Sequence, residues 1–146
     1  MKNRWIIILV IIISVLLLIQ LVPGDRTNPA VTGEIQAPTD IRKILQKSCY
    51  DCHSHQTQWP WYSHIAPISW LVIHDVNEGR ENLNFSTWKS YRSREKVKIY
   101  EEIQEVLEKE EMPLKPYLWM HSEAKLTNEE VQNLFQWLNE AGGDTL

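Results

Sequence analysis

Cys49-Tyr50-Asp51-Cys52-His53 is the stretch on which the rest of this 146-residue chain turns, because it holds both cysteines of the protein, three positions apart, with a histidine directly after the second. Two thiols about one helical turn apart can each form a thioether to a vinyl group of one porphyrin, and the adjacent imidazole can reach the iron as proximal ligand. The pattern predicts one covalently attached haem c per chain, with Cys49, Cys52 and His53 as its anchors. Three other readings of the same residues compete. A thioredoxin-like redox pair needs a βαβ context, which the sequence lacks. A disulfide would close a ring of only four residues and contribute little chain-entropy stabilisation. A zinc site needs four ligands, and only the scattered His55, His64, His74 and His121 are left to complete one.

Outward from the motif, the pattern is helical. Thr39 or Asp40 can cap a helix that carries Ile41, Ile44 and Leu45 on one face and runs straight into Cys49. A second helix is expected around Ser69 to Asn82, with Gly79 weakening its end. Ser93 can cap a third through Glu110, where Val97, Tyr100, Ile103, Val106 and Leu107 form an apolar stripe. Thr127-Asn128-Glu129-Glu130 reads as a capping box before Val131, Leu134, Phe135 and Leu138, with Gly142-Gly143 as the stop. No stretch alternates as a half-buried strand does, so the fold class is all-α. Two long, proline-rich loops, Trp59 to Pro67 and Met112 to Leu126, are expected to wrap a cofactor.

At the N-terminus, Trp5 to Val22 is apolar apart from Ser14 and Gln20, and 18 residues at 1.5 Å each give roughly 27 Å of helix. The run is long for a cleavable signal and ends in Leu21-Val22-Pro23-Gly24 without a small-x-small site. It reads as a retained single-pass membrane anchor. Lys2 and Arg4 ahead of it place the N-terminus in the cytoplasm and the remainder outside, on the periplasmic or extracytoplasmic side. Residues 1–22 are therefore expected as anchor, 23–38 as a flexible tether with three prolines and two glycines, and 39–146 as the haem domain. Without Lys2 and Arg4, 13 of the 15 basic residues face 19 acidic ones, formally −6. That balance argues against a nucleic-acid partner and fits a basic or neutral redox partner protein.

A low-spin iron needs a sixth ligand, and Met112, in Glu111-Met112-Pro113, ranks first, followed by His121 and then His74. His55 lies too close to the attachment turn to cross to the other face. Trp59 and Trp61 are expected to touch the porphyrin, beside Tyr62 and Trp70. Arg80 and Lys115 are candidates for pairing with a propionate. No phosphate loop, His-Glu-x-x-His helix or Gly-x-Ser-x-Gly elbow occurs.

Beyond these readings, the helix entering Cys49-x-x-Cys52-His53, the Met112-Pro113 turn about sixty residues on and the last helix are broadly similar to class I cytochrome c. More narrowly, the chain resembles the bacterial haem-binding domain family through Cys-Tyr-Asp-Cys-His-Ser-His at 49–55, Thr57, Trp-Pro-Trp-Tyr-Ser at 59–63, Pro67, Ser69-Trp70, His74-Asp75-Val76, Glu78-Gly79-Arg80, Leu83-Asn84-Phe85-Ser86 and Trp88. The likeness continues through Met112-Pro113 and Tyr117 to Leu126, covering about 38 to 141. It implies a cytochrome c-like helical domain, exported and often membrane-tethered, in which Cys49, Cys52, His53 and, by its place in the Met-Pro turn, Met112 hold haem. The expected function is electron transfer at the outer face of the cytoplasmic membrane rather than enzymic catalysis. The alternative is a haem-based sensor, small-ligand module or weak peroxidase with an open sixth position.

Overall fold

The helix that delivers the motif is short because its apolar face is short. In the computed structural model, which describes residues 2–143, α2 (Thr39–Ser48) buries Ile41, Ile44, Leu45 and Ser48. Cys49 then bends the chain into α3 (Tyr50–His53), a single turn that seats Tyr50 in the core. After a 3₁₀ turn at Trp61–His64, α4 (Ile68–Asn82) packs against α3. α5 (Ser93–Glu108) and α7 (Asn128–Gly143) pack on one another, and α7 also reaches α2. Among the described residues the domain is all-α. The one β-type pairing is an isolated parallel bridge between Gly33 and Thr87. The core is a single cluster running from Ile35 and Leu45 through Phe85, Trp88 and Tyr100 to Leu134 and Trp137. In it Tyr50 stacks on Phe85 at 5.4 Å and Trp88 lies 5.3 Å from Tyr100.

The helix ends differ in detail from the sequence reading. Pro38 holds the cap position of α2 without a side-chain bond, so Thr39 and Asp40 sit inside the first turn. At α5 the Arg92 N–H donates to Glu95 Oε2 at 2.7 Å, and Ser93 is already helical. The expected box at α7 is present: the Thr127 N–H donates to Glu130 Oε2 at 2.8 Å, and the Glu130 N–H donates to Thr127 Oγ1 at 3.2 Å. Glu130 also accepts from Lys47 at 2.6 Å, fixing α7 to α2. Gly142 and Gly143 lie within α7 rather than ending it. The long loop after Met112 contains a helix too short to show a period, α6 (Lys115–Met120), with Pro116 in its first turn.

The expected membrane anchor is corrected. Among the described residues no helix is long and apolar enough to cross a membrane. α1 (Lys2–Ile19) opens on Lys2-Asn3-Arg4, so its apolar run is Trp5 to Ile19. That run spans about 22 Å, against roughly 30 Å of bilayer hydrocarbon. The sequence reading carried the helix on to Val22, but the chain leaves it at Gln20, whose Nε2 donates to the Ala66 carbonyl while the Ala66 N–H donates to Gln20 Oε1, both at 3.0 Å. The single-pass membrane location, with a cytoplasmic N-terminus and a haem domain outside, rested on that span and falls with it. Met1, at the start of the expected 1–22 segment, and residues 144–146, at the end of 39–146, lie outside the described residues.

Residues 23–38, expected as a flexible tether, are bonded along the body. The Thr32 and Gly33 N–H groups donate to the Ser86 carbonyl at 3.1 and 3.0 Å, and the Ile35 N–H donates to Phe85 at 2.9 Å. Ile35 is 1% exposed, inside the main core. A proline- and glycine-rich stretch can bind edge-on in this way because its backbone donors find carbonyl partners without helix or sheet. Ile35→Ala is therefore expected to cost about 2–5 kcal/mol, the scale of a buried isoleucine truncation, measured as a shift in the urea midpoint. A free tether would leave the midpoint unmoved.

Candidate functional site

Cys49, Cys52, His53 and Met112, which the sequence separates by up to about sixty positions, line one cavity of about 530 Å³. That size lies within the roughly 300–1,000 Å³ typical of cofactor sites. α2 and α3 supply one wall with Leu45 and the motif itself. α4 supplies Gly79, α5 supplies Ile99 and Ile103, and α7 supplies Leu134. Met112, Pro113 and Leu114 line it as well, leading into Tyr117 on α6. Met112 reaches that position because Glu110, at φ 53°, reverses the chain in the left-handed region just after α5, and the Glu111 N–H folds back to the Val106 carbonyl at 2.9 Å.

His53 is held in one tautomer. Its Nδ1 lies 2.9 Å from the Gly79 carbonyl and 3.1 Å from the Leu83 carbonyl. Carbonyl oxygens only accept, so Nδ1 carries the ring proton and Nε2 keeps its lone pair. Burial pushes the His53 pKa below the ordinary histidine value, although the two carbonyls pull the other way. The ring is therefore neutral at pH 7 and its Nε2 is free to bind a metal. Gly79 makes this approach possible: a Cβ there would lie 2.8 Å from the Cys52 carbonyl oxygen and 3.0 Å from the Cys52 Cβ.

The two cysteines are free, with no disulfide between them. Desolvation drives both thiols up to about 12, with the neighbouring Asp51 adding to the rise at Cys52. Both are thus neutral thiols in the unattached chain, unlike the low-pKa thiolate of a disulfide-exchange pair. Among the described residues no group of three or more His, Cys, Asp or Glu is arranged to hold a metal ion, so the zinc alternative lacks its ligand set.

The other expected site residues lie elsewhere. Trp59 and Trp61 do not line the cavity: Trp61 is 70% exposed, edge-on to Tyr62, and Trp59 packs beside the Arg80 guanidinium. They follow the motif in sequence, but the chain carries them around the outside of α3. Arg80 is occupied by Ser54 and Thr27 carbonyls, Asn28 Oδ1 and Thr57 Oγ1, at 2.8 to 3.1 Å, and fastens residues 27–28 to the loop after the motif. Lys115 is exposed and, like Arg80, is absent from the lining. His74 is exposed beside Glu78. His121 faces Tyr62, not the cavity. Of the candidate sixth ligands, Met112 alone lines the cavity with His53.

Sequence reasoning missed Tyr117 and Asp51. The Tyr117 hydroxyl donates to Asp51 Oδ2 at 2.8 Å, and both residues line the cavity. Asp51 Oδ1 accepts from the Gln58 N–H at 2.8 Å. No periodicity marks either residue, because the bond joins a one-turn helix to a six-residue one.

A family model described as a haem-binding domain matches residues 14–140. No curated protein and no solved structure matches the chain. The close approach at Gly79 predicts that Gly79→Ala destabilises the fold by roughly 1–3 kcal/mol in urea unfolding, because the added methyl meets backbone rather than a movable side-chain end. Gly142→Ala, whose nearest neighbour is a Tyr100 ring carbon at 3.8 Å, is the control and should cost nothing.

Proposed function

This chain belongs to the haem-binding domain family, and from that premise we propose that it is a c-type electron carrier whose haem would be held through Cys49 and Cys52, with His53 and Met112 as the side chains that would bind its iron. The observation that carries the reading is the meeting of these four side chains on one cavity, with the His53 proton committed to Gly79 and Leu83. Addition of each neutral thiol across a vinyl group would give two thioethers without a leaving group. The bound group supplies an iron that exchanges one electron between its ferric and ferrous states.

The chain's own residues would set the conditions for that exchange. His53 donates to carbonyls in the last turn of α4, the negative end of the helix, which enriches the imidazole as a donor and favours the oxidised state. Leu45, Phe85, Ile99, Ile103 and Leu134 keep water from the cavity, which favours the reduced state. Asp51, Asp75, Glu78, Glu102 and Glu105 line it without a lysine or arginine, so a redox partner protein approaching there would present neutral or basic groups. A second reading, a module that takes a small ligand at an open sixth position, draws on one observation: Met112 is 37% exposed.

The test is expression of the full chain with cytochrome c maturation proteins, followed by haem staining of the denatured protein. Wild type is expected to stain and Cys49→Ala/Cys52→Ala to lose the stain. Met112→Ala is expected to convert a low-spin absorption spectrum to a high-spin one. A wild-type chain that keeps no haem after denaturation would refute the covalent reading, and a high-spin wild-type spectrum would favour the small-ligand module.

A further inference from the structure

The two sides of the cavity are built differently. His53 sits in a wall packed on the main core, whereas Met112 leads into α6, which has no buried residue; Trp119 is 81% and Met120 57% exposed. Apolar burial therefore does little to hold this side in place. Two side-chain hydrogen bonds tie positions 112–121 to the elements around the attachment turn: Tyr117 to Asp51 at 2.8 Å, and Tyr62 with His121 at 2.7 Å. His121 Nδ1 lies 3.3 Å from Glu123 Oε1, and its Nε2 lies 2.7 Å from the Tyr62 hydroxyl. The His121 ring stacks on Tyr117 with centroids 4.4 Å apart, so the two bonds brace each other.

We propose that Tyr117 is a positioning residue for the sixth ligand: its bond to Asp51, between the two cysteines, latches the Met112 side of the cavity to the attachment turn. The proposal rests on the reading of Cys49, Cys52, His53 and Met112 given above. The acceptor is a carboxylate at a fixed place, because the Gln58 N–H holds its other oxygen and the Thr57 hydroxyl donates to the Asp51 carbonyl at 2.7 Å. Tyr117 thus joins the less buried Met112 segment to the attachment turn. Loss of its hydroxyl leaves the ring stack intact and frees α6 to carry Met112 away from His53.

The experiment titrates imidazole into the ferric, haem-loaded full chain and follows the absorption change as imidazole displaces the sixth ligand. Tyr117→Phe is expected to bind imidazole roughly tenfold more tightly than wild type, the scale of losing one hydrogen bond to a charged acceptor. Asp51→Asn, which keeps an acceptor oxygen for only one of the two donors, is expected to shift in the same direction. The double variant should exceed Tyr117→Phe by no more than about twofold if the two residues act as one bond. Haem staining of each denatured variant reports attachment separately. Covalent haem with equal imidazole affinity in wild type and Tyr117→Phe would overturn the latch alone. Should Tyr117→Phe not fold, an unchanged affinity in Asp51→Asn overturns it equally. A wild-type chain without covalent haem would overturn the reading of the site and the latch with it.

Discussion

The contact between α3 and α4 at Gly79 governs most of what surrounds it. Gly79 brings the backbone of α4 against Cys52, at a distance no other residue allows, and offers its carbonyl to His53. Leu83, at the end of the same helix, offers a second. The Gly79 carbonyl accepts both the Leu83 N–H at 2.9 Å and the imidazole, while the Leu83 carbonyl lies past the last helical residue, so the ring is oriented by two acceptors at a helix end. One backbone approach therefore sets the distance between two helices, the orientation of the histidine ring and the choice of its protonated nitrogen. The loop beyond the motif is fixed from the same place, since the Phe85 N–H donates to the His53 carbonyl at 2.8 Å and Phe85 packs on Tyr50. Displacing α4 would disturb the core and the site together.

The strap of residues 24–37 extends that dependence toward the N-terminus. Arg80, one position after Gly79, holds Thr27, Asn28, Ser54 and Thr57 through a single guanidinium, and His55 Nδ1 donates to the Ala30 carbonyl at 2.9 Å. A planar group with five donors in a fixed fork suits such a junction, where a lysine would offer a point charge. The histidine and arginine near the motif are thus committed to its surroundings. This leaves the cavity with His53 as its one imidazole and with carboxylates as its charged lining.

The sequence made the motif and the helical class legible, each for a physical reason. α2, α5 and α7 bury stripes at helical spacing, and such stripes survive in any all-α packing. Met112 stood out through the rigid Met112-Pro113 step, and it lies on the cavity. Trp59 and Trp61, close to the motif in sequence, are absent from the cavity lining, whose apolar residues include Ile99, Ile103 and Leu134 on distant helices. Ile103 and Leu134 had been visible only in stripes of an ordinary core, and Ile99, which the structure buries, lay outside the stripe read for its helix. The strap was illegible because its order comes from backbone hydrogen bonds, for which composition carries no signal. The anchor was overread because hydropathy does not mark where a helix stops; Gln20 does so by bonding to Ala66.

What distinguishes the site is its asymmetry. On the His53 side, position is determined several times over, by core burial, two carbonyls and a glycine contact. On the Met112 side it rests on a left-handed turn at Glu110 and on the Tyr117 and His121 side-chain bonds of a segment whose helix has no fully buried residue. An element with few buried contacts opens at low free-energy cost, and such elements are the ones that move in proteins. On the proposed reading, His53 would stay with the iron while the Met112 position would follow the strength of the Tyr117–Asp51 bond. Electron transfer and small-ligand binding would then be two ends of one equilibrium, selected by polar contacts at the cavity edge and not by the buried core.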